Sequence, residues 1–296
     1  MKRLKVLFMG QGKIGSAIHH VLKHGKGTKP IVDCWDVDAS KMKKVCDLAK
    51  TVPEADVIFL CVPSWCIADV AKQIRPLLSA KTVLVSVSKG LDQKTSETID
   101  VVLGKHFPRQ PFVLLFGPML ADELLADHVG AASAASSNAP ARKRIQELFR
   151  GSKLRIVPTT DVRGVAICGV LKNVYAIGLG IAKELKLGDN FNGWYMEQAF
   201  AEMGVIVKKF GGTYHILLEP AGIGDFIATG FSLFSKNVTY GRELVMSGEP
   251  ASPSEGAVSI KPLSKRLGTS KKILPLFNKL ERIVLHGAKP RIITES

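Results

Sequence analysis

A short apolar run, Lys5–Gly10 (KVLFMG), leads straight into Gly10-Gln-Gly-Lys-Ile-Gly15, after which Ile14, Ala17, Ile18, Val21 and Leu22 recur at helical spacing as far as Gly25. A buried strand that becomes a helix through three glycines so spaced fits few architectures. Gly10 permits the tight turn, Gly12 lets backbone approach a diphosphate, and Gly15 allows the helix to pack closely on the strand. The helix N-terminus then faces the anion. Alone, the pattern also fits a plain strand-to-helix turn. Here Asp36 follows 21 residues after Gly15, at the end of a second apolar run, PIVDCWDV, where a carboxylate can hold ribose hydroxyls. That context predicts a dinucleotide. Asp36 would repel a ribose phosphate and so favours NAD, while Lys41, Lys43 and Lys44 can relieve the repulsion and leave NADP open.

Ala55–Pro63 (ADVIFLCVP), Lys81–Ser88 (KTVLVSVS) and Phe112–Gly117 (FVLLFG) have the unbroken apolar character of strands covered on both faces, and the helical pattern CIADVAKQIRPLL separates the first two. Strands alternating with helices predict an α/β fold, a Rossmann doubly wound parallel sheet. Beyond about Pro158 the segments VRGVAICGVLKNVYAIGLGIAKEL, WYMEQAFAEMGVIVKKFG and ILPLFNKLERIVLHG carry helical periodicity, with no convincing strand among them. A chain of 296 residues is long enough for two cores. The expectation is a dinucleotide-binding domain over 1–158 and an all-α substrate-binding domain over 159–296, joined around Gly151–Thr160.

Several classes are excluded. The composition, 46% hydrophobic and 23% charged, is that of a globular chain. Cys34, Cys46, Cys61, Cys66 and Cys168 are odd in number and form no CxxC pair or metal-ligand spacing with the histidines, so neither a disulfide framework nor a metal is expected and the setting reads as cytoplasmic. Gly10 cuts the N-terminal apolar run before it could serve as a signal peptide. Val165–Ala182 is long and apolar but carries Lys172, Asn173 and three glycines, which argues for a buried helix over a membrane span. The net charge of +15 draws the chain to anions. The basic runs KHGKGTK, SKMKK, ARKR and SKRLGTSKK are scattered and lack interleaved aromatics, so they read as solvated faces rather than a nucleic-acid site.

Lys172 needs a reason to be where it is, because an ammonium in apolar surroundings costs several kcal/mol unless paired, deprotonated or facing a polar cleft. Either it snorkels outward while Asn173 bridges neighbouring elements, or burial tunes it to exchange a proton with substrate. In AGIGDFIATG, Asp225 and Thr229 share one helix face at i and i+4. The plain reading of Asp225 is a carboxylate at a helix start. In VSVSKGLD, Lys89 follows a strand directly, at the edge where such sheets bind ligands, or else is a solvated loop lysine.

Taken in order, GxGxxG, ADVIFLCVPS, VSVSKGLD, FGPMLADE, GVLKNVYAIGLGIA, GGTYHILLEPAGIGDFIATG and SKNVTYGREL give a chain that resembles the bacterial-type NAD(P)-dependent glycerol-3-phosphate dehydrogenases over nearly its whole length. The resemblance implies reversible reduction of dihydroxyacetone phosphate to sn-glycerol 3-phosphate, which supplies the glycerophospholipid backbone, and a homodimer through the helical half. It implies that Lys172 is the general acid/base, Asp225 its acidic partner with Thr229 alongside, and Lys89 a cleft lysine touching substrate and cofactor. Ser235, Lys236 and Asn237 are implied phosphate ligands and Gly117 a backbone contact to substrate. Gly10, Gly12, Lys13, Ile14, Gly15, Asp36, Ala121, Lys236 and Glu255 are implied neighbours of the cofactor. The sequence also departs from the pattern: Lys236 replaces the usual arginine and loses its fork, Met119 replaces a serine, and Lys13-Ile14 replaces Ser-Trp, with Lys13 a candidate for direct diphosphate contact. These changes keep a related dehydrogenase for another small hydroxy acid or phosphate ester as the alternative.

Overall fold

The computed structural model describes residues 3–42 and 46–295, so Lys43 and Lys44 lie outside the described residues. Seven strands, β1 Lys5–Met9, β2 Ile31–Trp35, β3 Val57–Leu60, β4 Val83–Ser86, β5 Phe112–Phe116, β6 Gly130–Ala135 and β7 Leu154–Thr159, form one sheet in the order β2-β1-β3-β4-β5-β6-β7. Neighbours pair in parallel except β5 with β6. The first five are the strands read from the sequence. β6 and β7 were not expected. GAASAA offers small residues without β-branching, and LRIVPT is a half-exposed edge strand interrupted by Pro158. The stretch expected as a connection, Gly151–Thr160, is therefore largely β7.

Alternation along each strand divides the core between the sheet's two faces. Val6, Phe8, Val57, Phe59, Val85 and Leu115 pack on one side against α1 (Lys13–His24) and α6 (Ala139–Leu148). On the other side lie α3 (Ile67–Ile74) and α4 (Ile99–His106), while α2 (Leu48–Glu54) and α5 (Ala121–Leu125) complete the set in the first half of the chain. That second face, carrying Leu7, Met9, Ile58, Leu60, Leu114 and Phe116, belongs to one apolar cluster that continues without a break into the helical half.

The axis of that half is α7 (Val162–Glu184), in which every residue from Gly164 to Ala182 is buried. It begins at Asp161, whose carboxylate accepts the Gly164 N–H at 2.8 Å and the Thr213 N–H and hydroxyl at 2.7 Å. Among the described helices it alone is long and apolar enough to cross a bilayer, and protein covers all of that stretch. Around it stand α8 (Gly188–Lys209), α9 (Asp225–Phe231), α10 (Lys236–Met246), α11 (Glu255–Leu267) and α12 (Pro275–His286). Helix α10 crosses α7 so closely that a Cβ on Gly241 would overlap the Ile177 carbonyl. Leu274 gives α12 no side-chain cap. Glu202 of α8 does so instead, accepting from the Leu276 and Phe277 N–H groups at 2.6 and 2.9 Å and from the Tyr175 hydroxyl at 2.7 Å.

Candidate active site

At the end of β1 the chain turns through Gly10 at φ +102, a left-handed conformation, with its α-carbon against β3: a Cβ there would sit 2.6 Å from the Cys61 carbonyl oxygen. Gly15 packs under the same turn, where a Cβ would overlap the Gly10 carbonyl. Gly12 faces open space and begins α1, whose first turn has neither an acidic side chain nor a side-chain cap. Its N–H donors are thus left for an anion. Asp36, just beyond β2, accepts the Gln11 N–H at 2.7 Å and the Asp38 N–H at 2.9 Å, and Lys41 Nζ lies 3.8 Å away. The carboxylate thereby fixes the glycine loop against the end of β2. Lys13 lines the cleft and its Nζ lies 3.3 Å from Asp122 of α5 in an exposed ion pair.

From the middle of α7, Lys172 emerges toward α9. Its Nζ donates to Thr229 Oγ1 at 2.8 Å and lies 3.2 Å from Asp225 Oδ1, while Lys89 Nζ meets Asp225 Oδ2 at 2.6 Å. One buried carboxylate therefore serves two ammonium groups. Lys172 is only 8% exposed, so the snorkelling alternative does not hold. Burial, with Lys89 nearby, lowers its pKa to about 8, against the pull of Asp225 and Glu255. Burial by itself would raise the Asp225 carboxyl, but the two ammonium groups outweigh it and hold the acid below its ordinary range. Lys89 also stands over the Phe116 ring, 5.4 Å from its centroid.

Asn173, next along α7, ties two helix starts together. Its amide donates to Glu255 Oε2 at 2.9 Å and accepts from Asn237 Nδ2 at 2.9 Å, while Asn237 Oδ1 accepts the Gly256 N–H at 2.8 Å. The bridging role expected of Asn173 is therefore present. Ser235 caps α10, taking the Val238 N–H at 3.3 Å, so the first turn of α10 places Lys236 and Asn237 at a positive helix end.

Two adjoining cavities meet at Lys172. One, of about 590 Å³, runs from Gly12, Lys13 and Ile14 past Lys89 and Ala121 to Lys172. The other, of about 490 Å³, reaches from Lys172 to Thr229, Ser235, Asn237 and Ser254. Lys236, Glu255, Trp65, Leu120 and Val258 line both. Of the expected residues, Gly10, Gly15, Asp36, Gly117 and Asp225 do not line either: Gly10 and Gly15 form the packed turn beneath the loop, Asp225 works from behind Lys172 and Lys89, and Gly117 packs against Ala131 and Ala132 of β6. Met119 is 7% exposed and lines the first cavity. The sequence reading missed Trp65, 69% exposed at the shared rim, although an aromatic directly after the Pro63-Ser64 turn that follows β3 was a signal for it.

The residues present fit a dinucleotide on structural grounds. The loop has a cradle that only glycine permits, uncapped helix donors, and a buried Gln11 side-chain nitrogen without a partner among the described residues. A nucleotide cleft that ends on an ammonium poised to trade protons is the arrangement of a nicotinamide-dependent dehydrogenase of the Rossmann class. Residues 36–142 match the N-terminal model, and residues 161–295 the C-terminal model, of NAD-dependent glycerol-3-phosphate dehydrogenase. The chain belongs to that family. It is 31% identical over 258 residues to glycerol-3-phosphate dehydrogenase [NAD(P)+] of Acinetobacter baumannii, covering 85% of this chain and 72% of the relative. The namesake of Coxiella burnetii is 34% identical over 219 residues, covering 74% and 65%. A 2.1 Å crystal structure of glycerol-3-phosphate dehydrogenase from Coxiella burnetii superimposes with a TM-score of 0.87 at 27% identity, covering 98% of this chain and 97% of that one.

Proposed function

We infer that the chain catalyses its family's reaction, the reversible reduction of dihydroxyacetone phosphate to sn-glycerol 3-phosphate with NADH, and that it admits NADPH through Lys41. The observation that carries this reading is the buried Lys172 ammonium, with its pKa near 8, at the junction of the two cavities. Gly12, Lys13, Ile14 and Ala121 along the larger cavity would hold a reduced nicotinamide dinucleotide, which would supply the hydride for the substrate carbonyl carbon. Lys172 gives its proton to the carbonyl oxygen, so the developing alkoxide charge is neutralised where it forms. Asp225 and Thr229 hold the Lys172 nitrogen in place, and Asp225 keeps it protonated until it is needed. Lys89 adds positive potential at the same wall. The α10 start, with Lys236, Ser235 and Asn237, forms the phosphate end of the smaller cavity. In the oxidative direction neutral Lys172 takes the alcohol proton.

A second reading, a related dehydrogenase for another small hydroxy acid or phosphate ester, draws on Met119 and Lys236. Following NADH and NADPH absorbance with dihydroxyacetone phosphate beside a panel of such esters separates the two readings. Lys172→Ala should abolish turnover while NADH binding survives, and near-normal turnover would remove Lys172 from the mechanism. We further place the enzyme in the cytoplasm, in keeping with five free cysteines, and as a homodimer. Ile223, Ile227 and Phe231 present an exposed apolar stripe at four-residue spacing on the helical half, which supports the dimer. Ile227→Asp should give a monomer by light scattering.

A further inference from the structure

Basic runs far apart in the sequence converge on one face away from both cavities. The last turn of α1 and the loop after it carry Lys23, Lys26 and Lys29, all exposed, and the turn between α6 and β7 with the start of β7 carries Arg150, Lys153 and Arg155, also exposed. The two segments touch: the Lys26 N–H donates to the Gly151 carbonyl at 2.9 Å, and Gly27 and Gly25 pack directly on Arg150 and Ser152. Arg3 adds a further cation by donating to the Lys29 carbonyl at 2.9 Å. None of these seven side chains forms an ion pair among the described residues. The acids beside them are Glu147 and Asp127; His20 meets the Asp127 carboxylate at 3.1 Å, and Lys153 Nζ donates to the Asp127 carbonyl at 2.8 Å, so Lys153 is a cation of the patch with an acid close by.

Beside the joined loops is an open hollow of about 730 Å³ between α6 and the free edge strand β7. Arg142, Lys143, Arg150 and Arg155 rim it, over a floor that includes Phe149, Leu154, Ile156 and Pro158. Uncompensated cations around an apolar floor match the boundary of an anionic bilayer, where phosphate lies above hydrocarbon. Nucleic acid fits less well, because no exposed aromatic side chain stands among these cations to stack on bases. The patch is also wider than one phosphate headgroup could neutralise.

We propose that this face, built from the loop after α1 and the α6–β7 turn, docks the protein reversibly on anionic phospholipid surfaces. Binding is peripheral and electrostatic, and no helix inserts. The test is co-sedimentation of the full chain at low ionic strength with vesicles of phosphatidylcholine alone or containing a minority of phosphatidylglycerol. A patch variant carries Lys26→Gln, Lys143→Gln, Arg150→Gln and Arg155→Gln. A control variant loses the same charge elsewhere through Lys183→Gln, Lys208→Gln, Lys261→Gln and Lys289→Gln.

The wild type should pellet only with the phosphatidylglycerol vesicles and be released at about 1 M salt, where screening acts within about 3 Å. Each cation at such a surface is worth roughly fivefold in partition, so the patch variant should lose at least about a hundredfold and the control far less. Turnover and the melting curve should stay as in the wild type for the patch variant, since these side chains touch neither cavity. Three results would overturn the proposal: no dependence on phosphatidylglycerol, equal losses in both variants, or patch-dependent binding of single-stranded RNA in place of vesicles.

Discussion

Asp225→Asn isolates the electrostatics of the site without changing its shape. In the proposed mechanism reduction needs protonated Lys172, which in the wild type is present below about pH 8 and lost as pH rises through that value, while oxidation gains over the same interval. At 3.2 Å the Asp225–Lys172 attraction is about 5 kcal/mol at an effective dielectric near 20. One pKa unit corresponds to about 1.4 kcal/mol. If water and the asparagine dipole replace three quarters of the attraction, the Lys172 midpoint still falls by about one unit, and at pH 8 about fivefold less of the proton-donating form remains. The loss of Asp225 also leaves Lys89 and Lys172 facing each other uncompensated, which lowers the midpoint further. The assay is the pH profile of kcat for dihydroxyacetone phosphate reduction, with NADH binding and thermal melting as controls for folding. A profile whose alkaline limb stays at its wild-type position, in a variant that folds and binds NADH, would refute the claim that Asp225 sets the proton affinity of Lys172.

Gly15→Val forces a Cβ into the Gly10 carbonyl, so NADH affinity should fall by at least an order of magnitude; calorimetry reads this, and unchanged affinity would contradict the loop packing. Asp36→Asn removes the charge facing the ribose corner and should shift kcat/KM toward NADPH, with an unshifted ratio counting against Asp36 as the discriminator. Lys236→Arg restores a bidentate fork at the start of α10 and should lower KM for dihydroxyacetone phosphate while leaving that for NADH alone. Glu202→Gln weakens three hydrogen bonds from one buried carboxylate and should reduce stability by about 2 kcal/mol, a Tm drop of roughly 5 °C by calorimetry.

Local pattern made part of the molecule legible. β1 to β5 are short apolar runs bounded by turn residues, and α7 stood out because a lysine interrupts it, so the Rossmann sheet and a buried lysine turned toward a cleft could both be read in advance. β6 could not, because a run of alanines and glycine has no strand signature until β5 and β7 flank it. Its antiparallel pairing with β5 depends on the path through α5, which no periodicity records. The same limit applies within the site. Lys89, Lys172 and Asp225 were each conspicuous, but that one carboxylate serves both lysines follows only from the packing of α9 against α7. Nothing in the helical segment WYMEQAFAEMGVIVKKFG marks Glu202 as a cap, because that role depends on where α12 comes to rest. The basic runs looked scattered for a similar reason, since Lys26 and Arg150 meet only through a backbone contact between loops.

The unbroken apolar cluster running from the second sheet face into α7 bears on how the chain is made. On the ribosome, Leu7, Ile58, Leu114 and Phe116 emerge well before the helix that will cover them, so a sticky surface stays open to solvent until the chain through about Glu184 has emerged. A nascent chain halted short of that point should crowd onto chaperones, and one released just past it should not.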